Sequence, residues 1–100
     1  MTIGIINLRK NKKLKGILTA IHSDDCISPI DIALMYAMIM FYKQGGEKDF
    51  FQVSRSGLMK ISKISSTRTY HKSIKKLMGL GYISYTPSYH PKFGSLVGWG

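Results

Sequence analysis

Apolar and polar positions alternate along the chain with periods that mark out helices and strands. From Leu14 the apolar residues are Leu14, Ile17, Leu18 and Ile21, one face of a short helix that Gly16 weakens and His22-Ser23-Asp24-Asp25 ends. The next segment carries a wide stripe of Ile30, Ala33, Leu34, Ala37, Met38 and Phe41, extended by Tyr36, Ile39 and Met40, and predicts the central core helix. Its start is marked by Ser28 as N-cap, Pro29 at the first helical position and Asp31 at N3. Ile27 and Ile32 stand at the two positions of a hydrophobic staple, and Gly45-Gly46 ends the helix.

Phe50-Phe51-Gln52-Val53 has the aromatic and β-branched character of a short strand. Ser54 then caps a helix with Leu58, Met59 and Ile61 on its apolar side; Gly57 and the serines give it weak propensity, so it needs packing partners. After the turn at Ile64-Ser65 a further helix runs from Ser66 or Thr67 to about Leu80. Tyr70, Ile74, Leu77 and Gly81 share one side of it, while Arg68, Lys72, Lys75 and Gly79 fall opposite, with His71 and Lys76 beside them. Tyr82 to Thr86 is a β-run, Pro87 to Gly94 a loop, and Ser95 to Trp99 the returning strand, with Tyr82, Tyr85 and Trp99 read as core or sheet-face residues.

Helix, short strand, helix, tight turn, helix and β-hairpin is the order of an α+β winged helix. Such a fold has a three-helix core containing a helix-turn-helix and a C-terminal hairpin wing, here with a short N-terminal helix or arm. Residues 1–13, with Arg9, Lys10, Lys12 and Lys13, read as a basic arm, and residues 14–100 as a single domain.

Charge adds a partner to this picture. The net charge is +10 on 100 residues, and all the acids (Asp24, Asp25, Asp31, Glu47, Asp49) precede Phe50. The half after them carries Arg55, Lys60, Lys63, Arg68, Lys72, Lys75, Lys76 and Lys92 with no acid to balance them, for which a polyanion is the natural partner. The longest apolar stretch, Ile30 to Tyr42, is interrupted by Asp31 and too short to span a bilayer, and no secretory pattern opens the chain, so a cytoplasmic location is expected. A single cysteine, Cys26, excludes an intrachain disulfide and reads as a half-buried thiol.

The segment FQVSRSGLMKISKISSTRTYHKSIKKLMGLGYISYTPSYHPKFGS, residues 51–95, resembles winged-helix proteins of bacterial conjugative and mobilisable transposons. The pattern S-R-x-x-L-M-x-x-S-x-I-x-S-x-x-T-Y-H-K is matched by Ser54, Arg55, Leu58, Met59, Ser62, Ile64, Ser66, Thr69, Tyr70, His71 and Lys72. Gly81, Tyr82, Ile83, Pro87 and Ser88 follow it. The helix from Ser28 to Gln44 also resembles the family's first helix. The resemblance implies a DNA-binding regulator or accessory factor and supplies no target sequence.

In a helix-turn-helix the second helix enters the major groove, so the expected DNA-contacting residues are Arg55, Ser66, Thr67, Arg68, His71, Lys72, Lys75 and Lys76, with His90 and Lys92 from the wing. Arg68 is the candidate base reader, since guanidinium matches guanine O6 and N7; Lys72, Lys75 and Lys76 suit phosphates, and Ser66 and Thr67 can offer hydroxyls. The ring of His71 has two readings, a DNA contact or a hydrogen bond back to the turn. The basic N-terminal run, including Lys15, is either a DNA-binding arm or a solubilising tail. No paired carboxylates, phosphate cradle or complete zinc site stands out, so neither an enzyme, a metal nor a cofactor is expected. The competing readings are a protein-interaction module on the same scaffold, for which the lysines are a poor fit, and RNA binding through sheet aromatics. The Leu14–Ile21 helix is read either as a homodimer interface or as part of its own core.

Overall fold

The computed structural model describes residues 12–87 and 94–100. Among these residues the chain forms an α+β domain with α1 (Lys12–Ser23), α2 (Pro29–Gln44), β1 (Phe50–Val53), α3 (Arg55–Ser62), α4 (Thr67–Gly79), β2 (Ile83–Thr86) and β3 (Ser95–Trp99). The sheet is antiparallel in the order β1-β3-β2. The strand read before α3 therefore does not stand alone. It pairs with β3, Phe51 opposite Val97, and β3 in turn pairs with β2, Tyr85 opposite Val97.

Helices α2, α3 and α4 each start where a hydroxyl can satisfy exposed N–H groups. Ser28, Ser54 and Ser66 all sit in extended backbone and accept from Asp31, Gly57 and Thr69 N–H respectively. Lys63 ends α3 in left-handed backbone (φ 64°), a conformation usually left to glycine. That sharp turn sends the chain from α3 into α4.

The core is built from α1 (Leu14, Ile17, Ile21), α2 (Leu34, Met35, Ala37, Met38, Ile39, Tyr42), Leu58 of α3, the α4 residues Tyr70, Ile74 and Leu77, and the inner sheet residues Phe51, Val53, Ile83, Val97 and Trp99. Tyr42, Phe51 and Trp99 pack edge-on or tilted with ring centroids 5.2–5.7 Å apart. Gly57 lets α3 lie against α2: a Cβ there would come within 2.7 Å of Phe41 Cζ and 2.6 Å of Ser54 Oγ. Gly94 does the same at the base of the β2–β3 connection, where a Cβ would collide with the Val53 carbonyl oxygen.

Several expectations shift. Helix α1 begins at Lys12, so Lys12, Lys13 and Lys15 stand on a helix rather than in an arm. Its apolar residues Leu14, Ile17 and Ile21 are buried within the same chain, where they form part of its own core. On α2 the buried face lies close to one residue position round from the stripe read in the sequence: Met35 and Tyr42 are inside, whereas Ile30, Ile32 and Tyr36 are 44–49 % exposed. Cys26 is exposed rather than half-buried.

Candidate nucleic-acid interface

Helix α4 has two chemically distinct faces. Tyr70, Ser73, Ile74 and Leu77 are buried, while Thr67, Arg68, His71, Lys72 and Lys75 are exposed. The expected set Arg68, Lys72 and Lys75 therefore shares one solvent face, and none of the three makes an ion pair among the described residues. Neither α3 nor α4 has an acid in its first turn; Arg55 and Arg68 stand there instead. A cation at the positive end of a helix opposes the helix dipole, so these placements do nothing for helix stability. Toward a bound anion, the arginine and the helix end act in the same sense.

The Tyr70 hydroxyl joins α4 to β2 through a hydrogen bond of 3.2 Å with the Tyr85 hydroxyl. Burial pushes the Tyr70 phenol well above its ordinary range, the Tyr85 hydrogen bond adds to this, and the nearby Arg55 charge opposes it. Ser66 is exposed, and its Oγ accepts from Thr69 N–H at 3.2 Å, which leaves the hydroxyl proton free to donate outward. The exposed ring of His71 meets the edge of Tyr70 at 5.2 Å and makes no hydrogen bond back to the turn among the described residues.

Lys76 stands apart from this face. Its ammonium donates to Asp31 Oδ2 at 2.7 Å and to the Cys26 carbonyl at 3.0 Å, so its charge is answered within the fold. The same carboxylate accepts from Ser28 N–H (2.9 Å), Ser28 Oγ (3.0 Å) and Ser73 Oγ (2.5 Å). Asp31 is 1 % exposed and binds the start of α2 to the middle of α4. Burial works against its ionisation. Lys76, Ser73 and Ser28 outweigh burial and hold the carboxyl below its ordinary value of 3.8. A second tie runs from Tyr82, whose hydroxyl donates to Asp24 Oδ2 at 2.5 Å.

Sequence reasoning missed Lys63, an exposed cation at the α3–α4 turn that lines a groove with Ser65, Ser66 and Thr69. Its position between two serine-capped helices was the available signal. His90 and Lys92 lie outside the described residues, as do Arg9 and Lys10 of the basic N-terminal run. No group of three or more metal-ligating side chains occurs among the described residues, and no helix there is long and apolar enough to cross a membrane. Comparison with protein-family models, curated protein sequences and solved structures found no match to the chain.

Proposed function

We propose that this protein is a winged-helix DNA-binding protein that sets α4 into the major groove of a duplex and lays the β2–β3 connection alongside as a wing. In this reading α2, α3 and α4 are the three-helix core and α3–turn–α4 is the helix-turn-helix. The observation that carries it is the pair of arginines at the α3 and α4 N-termini, continued along α4 by exposed Lys72 and Lys75 with no acid among them. Arg68 reads a base edge. Arg55, Ser66, Thr67, Lys72 and Lys75 hold phosphates, and His71 adds a contact from the same face. Lys76, engaged by Asp31, orients α4 rather than touching DNA. The protein acts by binding rather than catalysis, as a regulator or accessory factor of a mobile element.

Selection of bound sequences from a pool of random duplexes tests this directly. The selected pool should converge on a motif containing guanine. Arg68→Ala should relax preference at one position by about 1–3 kcal/mol, while Lys72→Ala weakens binding to all sequences alike. A pool that never departs from random composition would contradict sequence reading by α4.

A further inference from the structure

The outer face of the sheet carries the most exposed large apolar side chain among the described residues, Phe50 at 63 %. Strand register sets Phe50 beside Gly98 and Ser84 in one row, and Gln52 beside Leu96 and Thr86 in the next. These six residues turn away from the core, to which the sheet contributes Phe51, Val53, Ile83, Val97 and Trp99. The helices, α4 included, pack on the core side, so this face is separate from the α4 cations. The Phe50 ring lies across Gly98: a Cβ there would stand 2.9–3.0 Å from two ring carbons and 2.8 Å from Ser84 Oγ. A glycine in the middle strand thus lets an aromatic ring settle on the sheet while most of it stays open to solvent.

Two grooves meet at that ring, and cations line both. Lys12 and Lys13 line one of about 480 Å³ with Phe50, Ser84 and Gly98. Lys48 lines the other with Phe50, Gln44 and Gln52. All three lysines are exposed, and none makes an ion pair among the described residues. Two carboxylates also line the first groove. Glu47 lies 3.7 Å from the Lys43 ammonium. Asp49 is exposed; it repels phosphate but can accept from the exocyclic amino group of a base.

We infer that this face binds single-stranded DNA, one unpaired base stacking on Phe50 and the flanking phosphates meeting Lys12, Lys13 and Lys48. An exposed ring among cations holds an unpaired strand through the π-face that every base has and through the charge of the backbone. A duplex keeps its base faces within its own stack, so the ring selects the unpaired strand. Leu96, the diagonal neighbour of Phe50 at about 7–8 Å, offers an apolar seat to the next base. Gln52, Ser84 and Thr86 offer hydrogen bonds to base edges. A protein seated on Phe50 and Leu96 would still have to answer the three lysines, whereas a nucleic-acid strand brings the matching charge with every nucleotide. The choice of deoxyribose over ribose rests on the duplex-DNA reading of α4; the stacking site does not.

Fluorescence anisotropy of the full chain with a labelled pyrimidine DNA strand of about 12 nucleotides, which cannot pair with itself, tests this. The same strand as a duplex and the same sequence in RNA are measured alongside. Single-strand binding should persist in Arg68→Ala/Lys72→Ala/Lys75→Ala, which removes the α4 cations. Phe50→Leu, which keeps apolar bulk without a π-face, should weaken it ~10-fold with unchanged circular dichroism and duplex affinity, and Phe50→Trp should retain it. Lys12→Ala/Lys13→Ala should lower the single-strand salt slope by about 1.4, two phosphates at ~0.7 each. A wild-type chain that does not bind the strand overturns the inference, as does a Phe50→Leu variant that binds it as tightly. Tighter binding of the RNA overturns DNA as the occupant. Loss of duplex binding alone, with single-strand binding still dependent on Phe50, sinks the reading of α4 and upholds the stacking site.

Discussion

Asp31 shows how much one residue can hold, and how much of that role is local. Its place at N3 after Ser28 was legible as a helix-start signal, and the structure makes it a reciprocal capping box. Its bonds to Ser73 and Lys76, 42 and 45 residues away, were not legible, because no spacing rule links groups that only tertiary packing brings together. The same bonds explain why Lys76, one of many lysines in the basic half, leaves the cationic face. Asp31→Ala should cost about 2–3 kcal/mol, below the 3–5 of a fully buried pair because the Lys76 side chain remains one-third exposed. The pH dependence follows from the lowered carboxyl. Its contribution is complete above the ordinary value of 3.8 and is lost as pH falls through the lower folded-state value. Denaturant titrations from pH 7 to pH 3 should therefore show a shallower acid loss of stability in Asp31→Asn than in the wild-type chain. Parallel curves would mean that Asp31 is not a source of the acid sensitivity.

At the scale of elements, the helices and strands were readable but their facing was readable only where polarity supplied a reference. On α4 the cations fix the phase, and Tyr70, Ile74 and Leu77 are buried as their spacing indicated. On α2 nearly every side chain is apolar, so no polar face anchors the phase; the one carboxylate points inward, and the stripe read from spacing was turned by close to one residue. Strand β1 was seen, but its partner could not be inferred from alternation alone, since β3 lies more than forty residues further on. Propensity misleads in the same way at the helical glycines. Gly16 has nothing within 4 Å of an added Cβ, so Gly16→Ala should stabilise by about 0.5–1 kcal/mol, a melting rise of roughly 2–8 °C. Gly57→Ala gains the same propensity, yet drives a methyl into Phe41 and the Ser54 cap, and should lower stability by about 1–3 kcal/mol. Thermal melts of the two variants should move in opposite directions; a rise in both would show that α3 can back away from α2 at little cost.

For the whole molecule, the division of charge is the feature that sequence and structure express together. Three of the five acids are engaged in caps and ties: Asp31 on Lys76, Asp24 on Tyr82 and the Cys26 N–H, Glu47 on Lys43. The cations of the second half are left largely facing solvent, concentrated on α4 and at two helix ends. That pattern was legible from the sequence because charge counting needs no coordinates. The tie between the Tyr70 and Tyr85 hydroxyls was not, because it depends on how α4 packs on β2. The most direct test is the affinity for random duplex DNA across a salt series, comparing wild type with Arg68→Ala/Lys72→Ala/Lys75→Ala. Wild-type affinity should fall steeply with salt. Each lost phosphate contact should lower the slope by about one, so the triple variant binds far more weakly and with a flatter slope. Wild-type protein that fails to bind near physiological salt, or a triple variant that binds as tightly and with the same slope, would contradict an α4 that faces DNA.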